Sequence, residues 1–192
     1  RQKAEVLADD NTPLYDALLQ DYEPDGNSAE ITEIFDNLRP HLVDLRAEML
    51  ERNQSVSLSG HFPMEQQRAL TDRVARVFGY DMDRGRIDVA VHPFSSGSGN
   101  DVRITTRYDE TNPLDSLYST IHEVGHATYE QNVDQAYNFT PLGNGCSMAV
   151  HASQRRLYAT QPARSRPFTD LSFSHMQEAH GALGFFAGHG LF

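Results

Sequence analysis

The chain has 192 residues, of which 39% are hydrophobic, so it can bury the core of one domain. Its formal net charge of -11 argues against nucleic acid or an anionic membrane as a partner, because both bind basic surfaces. A single cysteine, Cys146, excludes an intrachain disulfide, and no run is long and apolar enough to span a bilayer.

The first part of the chain predicts helices. Residues 1–22 are predicted to be helical with a break before Pro13, where Thr12 is the candidate N-cap. A long helix follows, because apolar residues recur there at helical spacing: Ile31, Ile34, Phe35, Leu38, Leu42 and Leu45. Pro40 lies within this segment and is expected to kink or interrupt the helix.

A further helix is predicted at residues 62–80, before the pattern changes. Pro63 suits the first turn of that helix and Gly79 suits its C-terminal end. Residues 86–107 then contain alternating and β-branched residues around a Ser/Gly loop at 95–100. This pattern predicts a β-hairpin or a small sheet.

The rest of the chain returns to helical patterns, so the predicted fold class is mainly α with one small β element. Helices are predicted at 111–132, 147–161 and 168–183, with a linker between Pro162 and Pro167. Four aromatic residues near the end predict an exposed apolar surface that favours association: Phe168, Phe173, Phe185 and Phe186.

The helix predicted at 111–132 carries the pattern H-E-x-x-H at His122, Glu123 and His126. Positions i and i+4 lie on one face of a helix, so the two imidazoles can converge on one metal ion. This is the zinc-hydrolase pattern, in which Glu123 is the general base for a water whose pKa the zinc lowers to about 7. Gly125 allows another element to approach this helix closely. The alternative to a zinc site is that H-E-x-x-H occurs here by chance on a surface helix.

Four segments of the chain match one family in the same order. They are "PLYDALLQDYEP" (13–24), "HPFSSGSGNDVRITTRYDE" (92–110), "STIHEVGHATYEQN" (119–132) and "HASQRRLYATQPARSRPFT" (151–169). With these segments the chain resembles the carboxypeptidase Taq family of metallocarboxypeptidases. The resemblance implies a mostly helical zinc-peptidase fold with a deep groove, removal of C-terminal residues from peptides, zinc or cobalt as the metal, a homodimer and a cytoplasmic location.

The "DVRIT" segment fits the D-x-R-x-T motif of the family through Asp101, Arg103 and Thr105. One interpretation is that Asp101 and Arg103 bind substrate, with Arg103 holding a carboxylate by paired hydrogen bonds. The other is a structural ion pair on a strand, because residues i and i+2 of a strand share a face.

Two departures from the family predict an impaired site. The family takes its third metal ligand from the glutamate of H-E-S-Q-S-R, where this chain has Ala152, and a methyl group cannot coordinate zinc. The chain is also shorter than the family and lacks its C-terminal motifs I-R-x-x-A-D and G-x-x-Q-D-x-H-W. We therefore expect residues 1–192 to be a single partial catalytic domain without the N-terminal and C-terminal regions of the family.

Substitutes for the missing ligand are few. His151 is adjacent to Ala152, but neighbouring helix positions point about 100° apart, which makes it a poor replacement. His175, Glu178 and His180 form a second candidate group, against the simpler interpretation of a polar helix face. The alternative function is a non-enzymatic scaffold that acts by binding or assembly. Ala152 has two possible origins, a natural loss of the glutamate or an engineered Glu→Ala change, and both leave the same sequence.

Overall fold

The structure is a computed structural model that describes residues 1–52 and 60–180. These residues form two compact units, which hold residues 1–52 with 146–149 and residues 60–145 with 150–180. Within the described residues, no helix combines the length and the apolar character needed to cross a membrane.

The first unit contains three helices, α1 (Gln2–Leu7), α2 (Leu14–Leu19) and α3 (Ser28–Arg52). The prediction that Thr12 caps α2 is wrong, because Pro13 is the N-cap and the Thr12 hydroxyl donates to the Asp9 carboxylate at 2.6 Å. At the other edge of the unit, the Glu23 carboxylate accepts hydrogen bonds from Ser147 and from the backbone of Ala149. It therefore supplies negative charge at a helix N-terminus, where the helix dipole favours it.

Helix α3 runs through Pro40 without interruption and buries none of its residues. The expected interruption does not occur. Pro40 removes the hydrogen bond to the carbonyl of Asp36, but both residues are exposed, so water can replace the lost donor.

The second unit contains α4 (Met64–Val77), α5 (Pro113–Gln131), most of α6 (Met148–Thr160) and α7 (Arg166–His180). Gly79 follows the end of α4 with φ +87, which confirms its predicted place at the C-terminal end of that helix. Helix α5 lies at the centre of the core. Its buried side contributes to two apolar clusters, one shared with α4 and α7 and one with α4 and the sheet.

The predicted β element is confirmed as a three-stranded sheet of β1 (Ile87–Val89), β2 (Ser95–Ser98) and β3 (Asp101–Thr106). The strand order is β1-β3-β2, with β1 parallel and β2 antiparallel to β3. The predicted loop at 95–100 is too long, because its first four residues pair with β3 despite their low β-propensity. Gly97 permits this pairing, since its φ is +149 and a Cβ there would collide with the carbonyl oxygen of Asp101.

The end of the described chain differs from its prediction in one respect. Phe168, in the first turn of α7, is not exposed but belongs to the apolar cluster that includes Ile121 of α5. Phe173 is half-buried. Phe185 and Phe186 lie outside the described residues, as do residues 181–183 of the predicted last helix.

Candidate metal centre

Helix α5 places the histidines of the H-E-x-x-H pattern side by side. Pro113 occupies its first turn, where a missing N–H costs nothing, and the helix then runs unbroken past the pattern. The ring centroids of His122 and His126 lie 5.6 Å apart with an interplanar angle of 65°. The sequence prediction that the i and i+4 imidazoles share one face of a helix is met by this geometry.

Glu123 lies on the buried side of α5, with Oε1 4.0 Å from His122 Nε2. Burial raises the pKa of this carboxyl to about 7, and the positive charge of Arg155 opposes part of that rise, with a smaller opposing effect from His92. A carboxyl with a pKa near neutrality can accept and return a proton at physiological pH.

Helix α6 approaches α5 closely at Gly125. A Cβ added to Gly125 would lie 2.5 Å from the Cα of Arg155, a distance that real Cβ atoms do not reach. The prediction that Gly125 admits a second element is confirmed. Two residues of α6, His151 and Arg155, reach the two histidines of α5; they are four apart and therefore lie on one face.

His126 belongs to a chain of hydrogen bonds between the two helices. Its Nδ1 lies 2.6 Å from Nδ1 of His151, and Nε2 of His151 lies 2.8 Å from Oε1 of Glu130. A carboxylate accepts, so Nε2 of His151 donates to Glu130, whereas either Nδ1 can be the donor in the bond between His126 and His151. When His126 is the donor, its Nε2 is left unprotonated.

His122 has a different partner. Nη1 of Arg155 lies 2.7 Å from Nε2 of His122. A guanidinium only donates, so Nε2 of His122 is the acceptor and carries no proton.

Both histidines are held neutral. The pKa of His122 is lowered by burial and then by the charges of Arg155 and Arg156. The pKa of His126 is lowered to about 4 by burial, with further lowering from His151, Arg155 and His122. Neutral imidazoles are the form that binds metal ions.

Comparison with known proteins decides the family. Residues 1–184 match the family described as carboxypeptidase Taq (M32) metallopeptidase. The chain belongs to this family.

Two curated members of the carboxypeptidase Taq family illustrate the likeness. The chain is 37% identical to carboxypeptidase 1 of Bacillus subtilis (strain 168), an alignment that covers 86% of this chain and 34% of that protein. It is also 37% identical to thermostable carboxypeptidase 1 of Thermus thermophilus, over 96% of this chain and 38% of that protein. The chain therefore spans just over a third of the length of these relatives.

Solved structures of M32 carboxypeptidases support the same family assignment. The M32 carboxypeptidase of Deinococcus radiodurans R1 superposes with a TM-score of 0.83 at 40% identity, covering 87% of this chain and 34% of that one. Metallocarboxypeptidase 1 of Trypanosoma cruzi superposes with a TM-score of 0.86 at 34% identity, covering 97% of this chain and 38% of that one. The predicted fold class and family are confirmed.

The family implies a divalent metal, but the donors in this chain do not fit a three-ligand metal site. Across residues 1–52 and 60–180, no three His, Cys, Asp or Glu side chains converge to hold a metal ion. Ala152 is half-buried and lines a shallow concavity on α6 with Ser153, Arg156 and Leu157. A catalytic zinc site usually takes three protein ligands, and here two histidines are present and one of them is already bonded to an arginine.

The candidate substitutes on α7 differ in their surroundings. Glu178 accepts a hydrogen bond from Arg73 at 3.2 Å, and its carboxylate lies 3.6 Å from Nδ1 of His175. The side chain of His180 is outside the described part of the structure. Glu178 is exposed, as expected for the polar helix face of the simpler interpretation, whereas His175 is buried and its Nδ1 has no hydrogen-bond partner among the described residues.

Asp101 and Arg103 lie on one face of β3, as their spacing predicts. Nε and Nη2 of Arg103 donate to the two carboxylate oxygens of Asp101 at 2.8 and 2.9 Å. Both side chains are more than half exposed. The ion pair of the structural interpretation is therefore formed, at the surface and with its paired hydrogen bonds directed at Asp101.

Sequence reasoning did not identify Glu130 or Arg155 as parts of the site, and it set His151 aside. One signal for Arg155 was available, since the family motif H-E-S-Q-S-R has serine where this chain has that arginine. Glu130 lies eight residues after His122, two turns further along the same helix, but only the position of α6 reveals its partner.

Proposed function

We propose that the chain is part of a metal-dependent carboxypeptidase that removes C-terminal residues from peptides, and that this hydrolysis is impaired in the chain as it stands. The observation that carries the proposal is the pairing of an intact H-E-x-x-H helix with a facing helix that brings His151 and Arg155 to the histidines and has Ala152 at the position of the family's glutamate ligand. We further propose that residues 1–192 are one partial catalytic domain.

The proposed roles follow the chemistry of each group. His122 and His126 are the metal-binding residues, with zinc, or alternatively cobalt, as the metal. That metal would supply charge stabilisation and an acidified water. Glu123 is the proton acceptor, and its pKa of about 7 suits the task.

Asp101 and Arg103 are the proposed substrate-binding residues. The guanidinium of Arg103 already holds one carboxylate in a paired geometry, that of Asp101. A substrate carboxylate would compete for the same donors. Exposure of the pair permits this exchange, because an exposed ion pair stabilises a protein by only about 0–1 kcal/mol.

The proposed location and partners follow the family resemblance. We propose that the protein is a cytoplasmic homo-oligomer that acts on peptides and binds neither nucleic acid nor a membrane. The apolar residues exposed along α3 support association. Sedimentation at increasing concentration measures it, and a monomer at all concentrations contradicts the proposal.

A non-enzymatic scaffold that acts by binding or assembly is the second candidate. Ala152 favours it, because the chain keeps the framework of a metal site without its third ligand. The two candidates differ in whether any cleavage depends on Glu123.

Release of the last residue from a short peptide, in the presence of zinc, tests the proposal. We compare the unchanged chain, the Glu123→Gln variant and the Ala152→Glu variant. A slow release that Glu123→Gln abolishes supports an impaired enzyme, and no release in any form supports the scaffold. Fast release that depends on Glu123 contradicts the proposed impairment.

A further inference from the structure

The two histidines of the H-E-x-x-H pattern are not equivalent. His126 uses Nδ1 for His151, and among the described residues its Nε2 has no hydrogen-bond partner, whereas the Nε2 of His122 accepts a hydrogen bond from Arg155. A metal bound by this pattern would need the lone pairs of both nitrogens. One of the two is engaged before any metal arrives.

The geometry points to Arg155 as a replacement for the metal. Its guanidinium donates a hydrogen bond to the lone pair on Nε2 of His122 and so holds the site together without a divalent cation. The donor–acceptor distance of 2.7 Å is that of a strong charge-assisted hydrogen bond. An arginine cannot lose its proton at physiological pH, so this competitor is present at every pH at which a metal could bind.

The backbone holds Arg155 in this place. The approach at Gly125 puts the Cα of Arg155 against α5, so its side chain starts next to the pattern. The Nε of Arg155 is buried, and among the described residues it has no hydrogen-bond acceptor. The Nε end of the guanidinium is therefore enclosed, although Arg155 as a whole is only half-buried.

Charge adds to this competition. Arg155 acts on His122, His126 and the buried carboxyl of Glu123, so its positive charge lies among all three groups of the pattern. A divalent cation in the same space would be repelled by the guanidinium, and burial strengthens that repulsion. Loss of the ligand at Ala152 and the presence of Arg155 thus act in the same direction.

The decisive experiment is zinc affinity, measured by competition with a chromophoric chelator, in two variants of the 192-residue chain. One carries Ala152→Glu alone and the other carries Ala152→Glu with Arg155→Ser. We expect the double variant to bind zinc at least about tenfold more tightly, the scale of effect seen for groups around a metal site. Equal affinities would overturn the inference.

Arg156→Ser in the Ala152→Glu background is the matched control. Arg156 is the next residue, carries the same charge and is exposed. It should raise zinc affinity much less than Arg155→Ser does. An equal gain would mean that net charge alone excludes the metal, which also overturns the specific role of Arg155.

A measurement on the unchanged chain needs no variant to fold. Nitrogen chemical shifts of the His122 ring should report an unprotonated, hydrogen-bonded Nε2 that does not change when one equivalent of zinc is added. Coordination of zinc by that nitrogen would overturn the inference. Peptide cleavage is not read in either experiment, so their failure leaves the proposed function to its own assay.

Discussion

Helices α3 and α5 are both long and both carry apolar residues at helical spacing, but they are buried to opposite extents. Helix α5 has 19 residues and buries 11 of them, whereas α3 has 25 residues and buries none. Apolar side chains along α3 stay about half exposed or more, among them Ile34, Phe35 and Leu42. Periodicity therefore identified both helices, but it did not tell which of them has a partner within the described chain.

The largest expected difference between the helices is in the free energy of unfolding that is lost when one isoleucine of each helix is replaced by alanine. Ile121 of α5 is fully buried, and Ile34 of α3 is 60% exposed. Ile121→Ala should lower the free energy of unfolding by about 2–5 kcal/mol through lost burial and a cavity. Ile34→Ala should change it by no more than about 0.5 kcal/mol. Hydrogen exchange of the amides in each helix measures both, and equal effects would mean that α3 is covered after all.

The second expected effect concerns the close approach at Gly125. Gly125→Ala should destabilise the chain by about 1–3 kcal/mol, even though alanine is the better helix former, because overpacking against a backbone atom forces the helices apart. The added Cβ meets the Cα of Arg155, so truncation of that side chain cannot relieve it. Urea unfolding should therefore show the same loss for Gly125→Ala in an Arg155→Ala background. A full recovery there would place the conflict at the side chain.

The smallest expected effect is the pH dependence of stability, which arises from two residues of α5, Glu123 and His126. Burial raises the pKa of Glu123 to about 7 from its usual 4.5, so its stabilising contribution is complete below pH 4.5 and is lost as the pH rises to about 7. Burial lowers the pKa of His126 to about 4 from its usual 6.5, so its contribution is present above pH 6.5 and is lost as the pH falls to about 4. The two effects oppose each other between these limits.

The Glu123→Gln variant separates them. We expect its stability to rise with pH between about 4 and 6.5, whereas the unchanged chain should vary less over the same range. Denaturant unfolding in the presence of a chelator, repeated at several pH values, measures this. Parallel curves for the two proteins would contradict the role assigned to Glu123.

The sequence predicted those features that depend on local spacing. The histidines of α5 share a face because they are four residues apart, and Asp101 pairs with Arg103 because residues two apart share a face of a strand. The small sheet and the end of α4 at Gly79 followed from residue types with strong backbone preferences.

The contacts between helices could not be predicted in the same way. Glu130, His151 and Arg155 are ordinary polar residues in sequence, and their partners on the other helix are 21 to 33 residues away in the chain. Which face of α6 meets α5 depends on Gly125 and on the loop between the helices. His151 was predicted to be a poor ligand partly because it points away from the direction of Ala152, and nothing local in the sequence indicated its contact with His126.

The polar character of β2 has a consequence for aggregation. This strand lies at an edge of the sheet and has the sequence Ser-Ser-Gly-Ser, with Gly97 in a conformation that other residues rarely adopt. Strand addition by a second chain is favoured by a long, flat and apolar edge, and β2 is short and polar. Fibrillar growth from this edge is therefore disfavoured.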